Sequence, residues 1–177
     1  MAQAQLLYVG TTEGVAILSN PGRTDRWITV GIELLTQQLV AAACDPDAPM
    51  HASVWSASAQ FTSTDGGQQW QQSPAEQPWP APAGSLVFPG APLAAVRLTD
   101  AGRLERSDDG GATWSTLAID MAGSWSVIAA PPYHPDSAYL GSASGEIWLS
   151  SDRGRSWQRI KRDLPSITAL AIGRVIS

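Results

Sequence analysis

A single cysteine, two histidines and a charged fraction of only 15% set the first limits on this 177-residue chain. Cys44 alone excludes an intrachain disulfide, and at the end of a short apolar run it reads as a packed side chain. His51 and His134 have no companion ligands at metal spacing, so no metal is expected. No phosphate-cradling glycine loop or nucleophile elbow appears, so no cofactor is expected either. No stretch approaches the ~20 apolar residues of a membrane span. The opening MAQAQLLYVG lacks the basic start and apolar core of a leader, which makes the expected location cytoplasmic. Helix-length amphipathic stretches are missing; 32–40 is a short candidate only. A net charge of −5 and a pI near 4.8 argue against general nucleic-acid binding.

What the chain does have is turn residues and tryptophan. Sixteen glycines and 13 prolines fit many turns and few helices. Trp27, Trp70, Trp114 and Trp157 recur at intervals of 43, 44 and 43 residues. Three of them close one octet, Ser-x-Asp-x-Gly-x-x-Trp: STDGGQQW at 63–70, SDDGGATW at 107–114 and SSDRGRSW at 150–157. Such a period marks a supersecondary unit copied along the chain, each copy stacking on its neighbours to bury its apolar faces. Segment 19–27 is a degenerate first copy, with one extra residue and its Asp displaced to the position before Arg26.

The octet predicts its own turn. Ser63, Asp65, Ser107, Asp109, Ser150 and Asp152 can accept hydrogen bonds from nearby backbone N–H groups. Gly67, Gly111 and Gly154 permit positive φ. Trp70, Trp114 and Trp157 then enter the next strand, each ring predicted to bury against the neighbouring unit. A calcium loop would want alternating oxygen ligands and a distal carboxylate, which the octets lack. These twelve residues are therefore expected to be structural.

This octet resembles the Asp-box, or BNR, repeat of sialidases, xyloglucan-degrading glycosidases, sortilin-type receptor ectodomains and photosystem II stability and assembly factors. The resemblance extends over the chain as a rhythm and implies the blades of a β-propeller. In those families the boxes lie away from the substrate, so the likeness implies a fold more than an activity. The sialidase Arg-Ile-Pro signature is missing near the N-terminus, and no arginine precedes Arg23.

Between the octets lie short apolar runs bounded by turn residues, which read as hairpins. A smaller-residue run follows in each unit: 39–43, 85–88, 127–130 and 167–172. Apolar on both faces, these suit an innermost strand covered from two sides. Counting strands gives one domain over 1–177, an all-β propeller of about four four-stranded antiparallel blades. The terminal run 167–172 completes the blade begun at Leu6. The alternative is half of an eight-bladed ring shared by a dimer, so the chain is expected to be a monomer or a homodimer.

Three places could serve function. Arg153, Arg155, Arg159, Lys161 and Arg162 form a basic run that could meet an anionic partner, with Arg153 and Arg155 free to point outward. The proline-rich connection 71–84 holds Trp79 as a candidate interface anchor. Trp79, Trp125 and Asp120 are the one plausible aromatic and carboxylate set for a glycan. Glycosidase chemistry needs two carboxylates flanking one bond, and Glu13, Glu33, Asp100, Asp120 and Asp163 show no pairing in sequence. The reading is thus a non-catalytic scaffold for a protein partner, resembling the assembly factors. A glycan-binding or glycosidase-related propeller is the alternative.

Overall fold

The structure, a computed structural model, describes residues 4–22, 26–75, 80–81, 83–119 and 124–175. The described residues contain sixteen strands and no helix. The segment 32–40 ends one strand, turns through a Gln37 N–H to Leu34 carbonyl bond, and begins the next.

The strands form four antiparallel four-stranded sheets. The first sheet is β1 (Ala4–Thr11), β2 (Gly14–Asn20) and β3 (Ile28–Glu33), with β16 (Ile167–Val175) on the inner side of β1. The second is β4 (Leu39–Cys44), β5 (Ala52–Ser56), β6 (Ala59–Ser63) and β7 (Gln71–Pro74). The third is β8 (Ser85–Phe88), β9 (Ala94–Leu98), β10 (Leu104–Ser107) and β11 (Ser115–Thr116). The fourth is β12 (Trp125–Ala129), β13 (Ala138–Ser142), β14 (Ile147–Ser150) and β15 (Gln158–Lys161). β16 runs antiparallel to β1 from Ala4↔Val175 to Thr11↔Ile167, so the last strand completes the first sheet.

Side-chain alternation explains why sheet stacks on sheet. Successive residues of a strand point to opposite faces. In β1, Leu7 and Val9 join a core with Val127, Tyr139 and Ile147 of the fourth sheet. Leu6 and Tyr8 turn the other way and join Ala52 and Trp70 of the second. The apolar run is buried on both sides because each side has a neighbour. The fourth sheet does the same, sending Tyr139 to the first sheet and Ala138 and Leu140 to Phe88 and Val96 of the third. Truncating such a side chain, Leu7→Ala for example, costs about 2–5 kcal/mol.

The innermost strands β4, β8, β12 and β16 line a cavity of about 250 Å³. Four antiparallel sheets with their innermost strands gathered around a shared centre make this an all-β propeller of four blades. Small residues at the centre, Ala41, Ala42, Ala129 and Ala169, suit the crowding there.

Candidate functional site

Each octet connects the outer two strands of its sheet, and its geometry repeats. Ser63 Oγ donates to Asp65 Oδ1 at 2.8 Å and accepts from Gly67 N–H at 2.9 Å. Ser107 and Ser150 make the equivalent pairs with Asp109 and Gly111, and with Asp152 and Gly154, at 2.7–2.9 Å. Asp65 Oδ1 also accepts the amides of Gln68 and Gln69, both at 3.0 Å. Each tryptophan donates Nε1–H back to the fifth residue's carbonyl, at 3.0, 2.9 and 3.2 Å for Trp70, Trp114 and Trp157. Trp27, whose octet has lost that glycine, keeps a buried Nε1 without a hydrogen-bond partner among the described residues.

These bonds hold the octet carboxylates ionised. Asp65 lies below the ordinary carboxylate range because the Gln69 amide and the Ser63 hydroxyl bind its charged form. Asp109 is held lower still by the hydroxyls of Ser107 and Thr113. At Asp152, burial opposes the shift, and the Ser156 hydroxyl and amide outweigh it. A carboxylate so occupied is a turn-former with little capacity to carry a proton.

The fourth octet residue closes a second link on the same rim. Gly66, Gly110 and Arg153 donate their amides to the carbonyls of Met50, Leu93 and Asp136, at 2.8–2.9 Å. All three have positive φ, at 78°, 75° and 63°. Arg153 is thus an arginine in a glycine's place.

The octet tryptophans divide. Trp70 meets Tyr8 of the first sheet edge to face, and Trp27 meets Tyr139 of the fourth in the same way. Trp157 packs into the core shared with the third sheet. Trp114 departs from the expected burial against a neighbour: Arg97 of its own sheet lies over the ring at 4.1 Å. Among the described residues no apolar core cluster joins the second and third sheets, and that flank is finished by the Arg97–Glu105 pair at 2.7 Å.

The basic run does not form one patch. Arg153 does not point outward as its octet position suggested. Its side chain is 14% exposed, and Nη2 donates to the carbonyls of Phe88 at 3.3 Å and Pro92 at 2.8 Å. Arg159 is tied to Glu146 at 2.8 Å and leans over Trp148. Arg162 pairs with Asp163 at 3.4 Å. Arg155 is exposed and Lys161 half-buried, with no ion pair among the described residues.

Of the glycan set only Trp125 falls among the described residues. Trp125 is 7% exposed, inside the core between the third and fourth sheets and edge-on to Trp148, so its face cannot stack on a sugar. Trp79 and Asp120 lie outside the described residues. Cys44 is packed near the Pro49 carbonyl, 3.5 Å away, and burial pushes its thiol up to about 11. It is a poor nucleophile. Among the described residues no three His, Cys, Asp or Glu side chains converge as metal ligands.

Two of the concave surfaces among the described residues have largely apolar walls. The central cavity is lined by alanine, valine, isoleucine, leucine and proline, including Ala42, Leu86, Ile128 and Leu170. A second groove of about 530 Å³ lies between β3 and the second octet, with Leu6, Ile17, Val30 and Met50 among its apolar walls and Glu33 and Asp65 as its charged groups. Sequence reasoning picked out neither Val30 nor Met50. Setting the outer strands side by side would have found the first: ITVGIE in β3 against QQSP, ST and QRIK elsewhere.

No established family profile matches the chain. The vacuolar protein sorting/targeting protein 10 of Mycosarcoma maydis is 34% identical over 68 residues, 38% of this chain and 4% of that protein. Among solved structures, YCF48 from Cyanidioschyzon merolae is 22% identical, covering 71% of this chain and 38% of its own, with a TM-score of 0.33. An ancestral GH74 enzyme is 19% identical over 88% of this chain and 22% of its own, with a TM-score of 0.35. None of these likenesses assigns a function.

Proposed function

We propose that this chain is a non-catalytic propeller scaffold that binds a protein partner. The central cavity carries the proposal: among the described residues its walls are aliphatic, without a side chain that could give or take a proton. Acid–base or nucleophilic chemistry requires such groups at hydrogen-bonding distance from the reacting atoms. An aliphatic hollow instead receives an apolar side chain, and a propeller rigid enough to hold it loses little entropy on binding. The occupied octet carboxylates agree with a structural role for Ser63, Asp65 and their counterparts. The buried Trp125 weighs against the glycan alternative.

The test is capture on the immobilised full chain, followed by calorimetry with the purified protein so obtained. A saturable complex with a negative heat-capacity change, the mark of apolar burial, is the expected result. Saturable binding on a glycan array with no protein captured, or turnover of any glycoside, would overturn the reading.

A further inference from the structure

β3 differs from its sister strands in the apolar side chains it leaves exposed. Outermost strands expose unpaired backbone groups, and proteins blunt them with short length, charge or proline. β7 ends in Pro74, β11 has two residues, and β15 carries Arg159 and Lys161. β3 ends in Glu33 and is irregular at Val30, the extra residue between the Leu18↔Thr29 and Ile17↔Gly31 pairs, yet it leaves Ile28, Val30 and Ile32 exposed at 40%, 54% and 56%. Among the described residues it pairs only with β2, and its other edge has no strand partner there. The turn after it adds Leu35 at 64% exposure between Leu34 and Thr36, both at positive φ.

The adjoining groove supplies charge. In the third and fourth octets the seventh residue's hydroxyl occupies Oδ2 of the aspartate, from Thr113 to Asp109 and from Ser156 to Asp152. The second octet has Gln69 there, and Asp65 Oδ2 accepts no hydrogen bond among the described residues. Glu33 and Asp65 line the groove, and neither has an ion-pair partner among the described residues.

We propose that β3 and this groove bind an extended segment of a protein partner as an added strand, with an apolar side chain beside Val30 and a lysine or arginine against Glu33 and Asp65. The proposal rests on the protein-partner reading and adds to the central cavity a second contact, with its own chemistry, at the rim. Backbone hydrogen bonds to the open edge supply affinity, and alternate side chains supply specificity. A second copy of β3 is a poor occupant, because it would bring Glu33 toward like charge and contributes no cation. Acidic headgroups are repelled for the same reason.

The probe is the peptide acetyl-Thr-Val-Lys-Val-Lys-Val-Thr-amide, with a twin carrying glutamate for lysine, titrated into the full chain. The lysine peptide is expected to slow amide exchange in β3 and to bind about five- to tenfold tighter than its twin, as an exposed charge swap allows. Glu33→Lys should invert that preference. Val30→Lys should abolish binding at an unchanged melting temperature; if it melts early, Val30→Thr, expected to weaken binding, carries the same arm. No saturable binding of the lysine peptide, equal binding of the twins, or protection confined to the central cavity would overturn the site. A purified partner that binds Val30→Lys as tightly as the parent also overturns it while leaving the protein-partner reading intact. Failure to obtain any protein partner bears on that reading instead, and the peptide titration then decides the groove separately.

Discussion

Arg153 shows how one residue can trade backbone strain for a cross-sheet clamp. Its φ of 63° belongs to the glycine positions of the sister octets. The strain of a left-handed non-glycine residue is about 1–2 kcal/mol. Against it stand two bonds from a guanidinium to the Phe88 and Pro92 carbonyls, each worth about 1.5–3 kcal/mol for a charged donor. The clamp wins, so Arg153→Gly should lower stability by about 1–3 kcal/mol in denaturant titration. A more stable variant would show that the strain wins. The octet glycines, serines and aspartates were legible because turn chemistry is local. The inward path of Arg153 was not, since it depends on carbonyls some sixty residues away. The octet also makes a pH prediction. Asp109's folded pKa is depressed, so its contribution is present above the unfolded value of about 4 and is lost as pH falls through the folded one. Denaturation midpoints measured from pH 7 to pH 2.5 should decline less steeply below about pH 4 in Asp109→Asn than in the parent. An unchanged slope would mean that the turn does not discriminate the ionised form.

At the scale of strands, the repeat rhythm was enough to count about four blades of four and to place the four innermost runs, because hairpin turns and two-faced apolar runs are written in adjacent residues. β7 at Gln71–Pro74 lies inside what reads in sequence as a connection. Which faces meet is a matter of fit between distant strands. Gly141 in β13 shows that fit. A Cβ there would stand 2.6 Å from Ile167 Cγ2 and 2.8 Å from Val127 Cγ1. The first and fourth sheets approach closely at this point, where Ser126 Oγ also donates to the Ile167 carbonyl at 2.6 Å. Gly141→Ala should therefore overpack the contact and cost about 1–3 kcal/mol, as extra methyls in tight cores do. Far-ultraviolet spectra should be unchanged while the melting temperature falls. A variant as stable as the parent would mean that the two sheets can part without loss. β3 lies beyond what rhythm reveals. In sequence Ile32 opens the short helix candidate 32–40, and only the exposure of Ile28, Val30 and Ile32 separates an edge from a core.

For the whole molecule the decisive element is β16. It fills the innermost place of the first sheet, and its Ile167, Leu170 and Ile172 share one core with Leu7, Val9 and Tyr139. On the other face Ala171 joins Leu6 and Tyr8. The strand thus touches both neighbouring sheets as well as its own, and one wall of the central cavity is made by Ala169 and Leu170. Light scattering on the intact chain should give about 18.7 kDa if one chain supplies all four blades of the ring, and twice that if two chains share a larger ring. Removing residues from Ser166 onward strips away the buried aliphatics of β16. At about 1.5–3 kcal/mol for each fully buried Leu or Ile, three of them account for much of an ordinary stability of about 5–15 kcal/mol. The loss also bares the inner edge of β1, a row of backbone groups ready to pair with another chain. The truncated protein should be insoluble or oligomeric, and a synthetic peptide of residues 166–175 supplied during refolding should restore the parent's mass and part of its melting temperature. A truncated chain that remains monomeric and melts with the parent would show that the first sheet does not depend on its last strand.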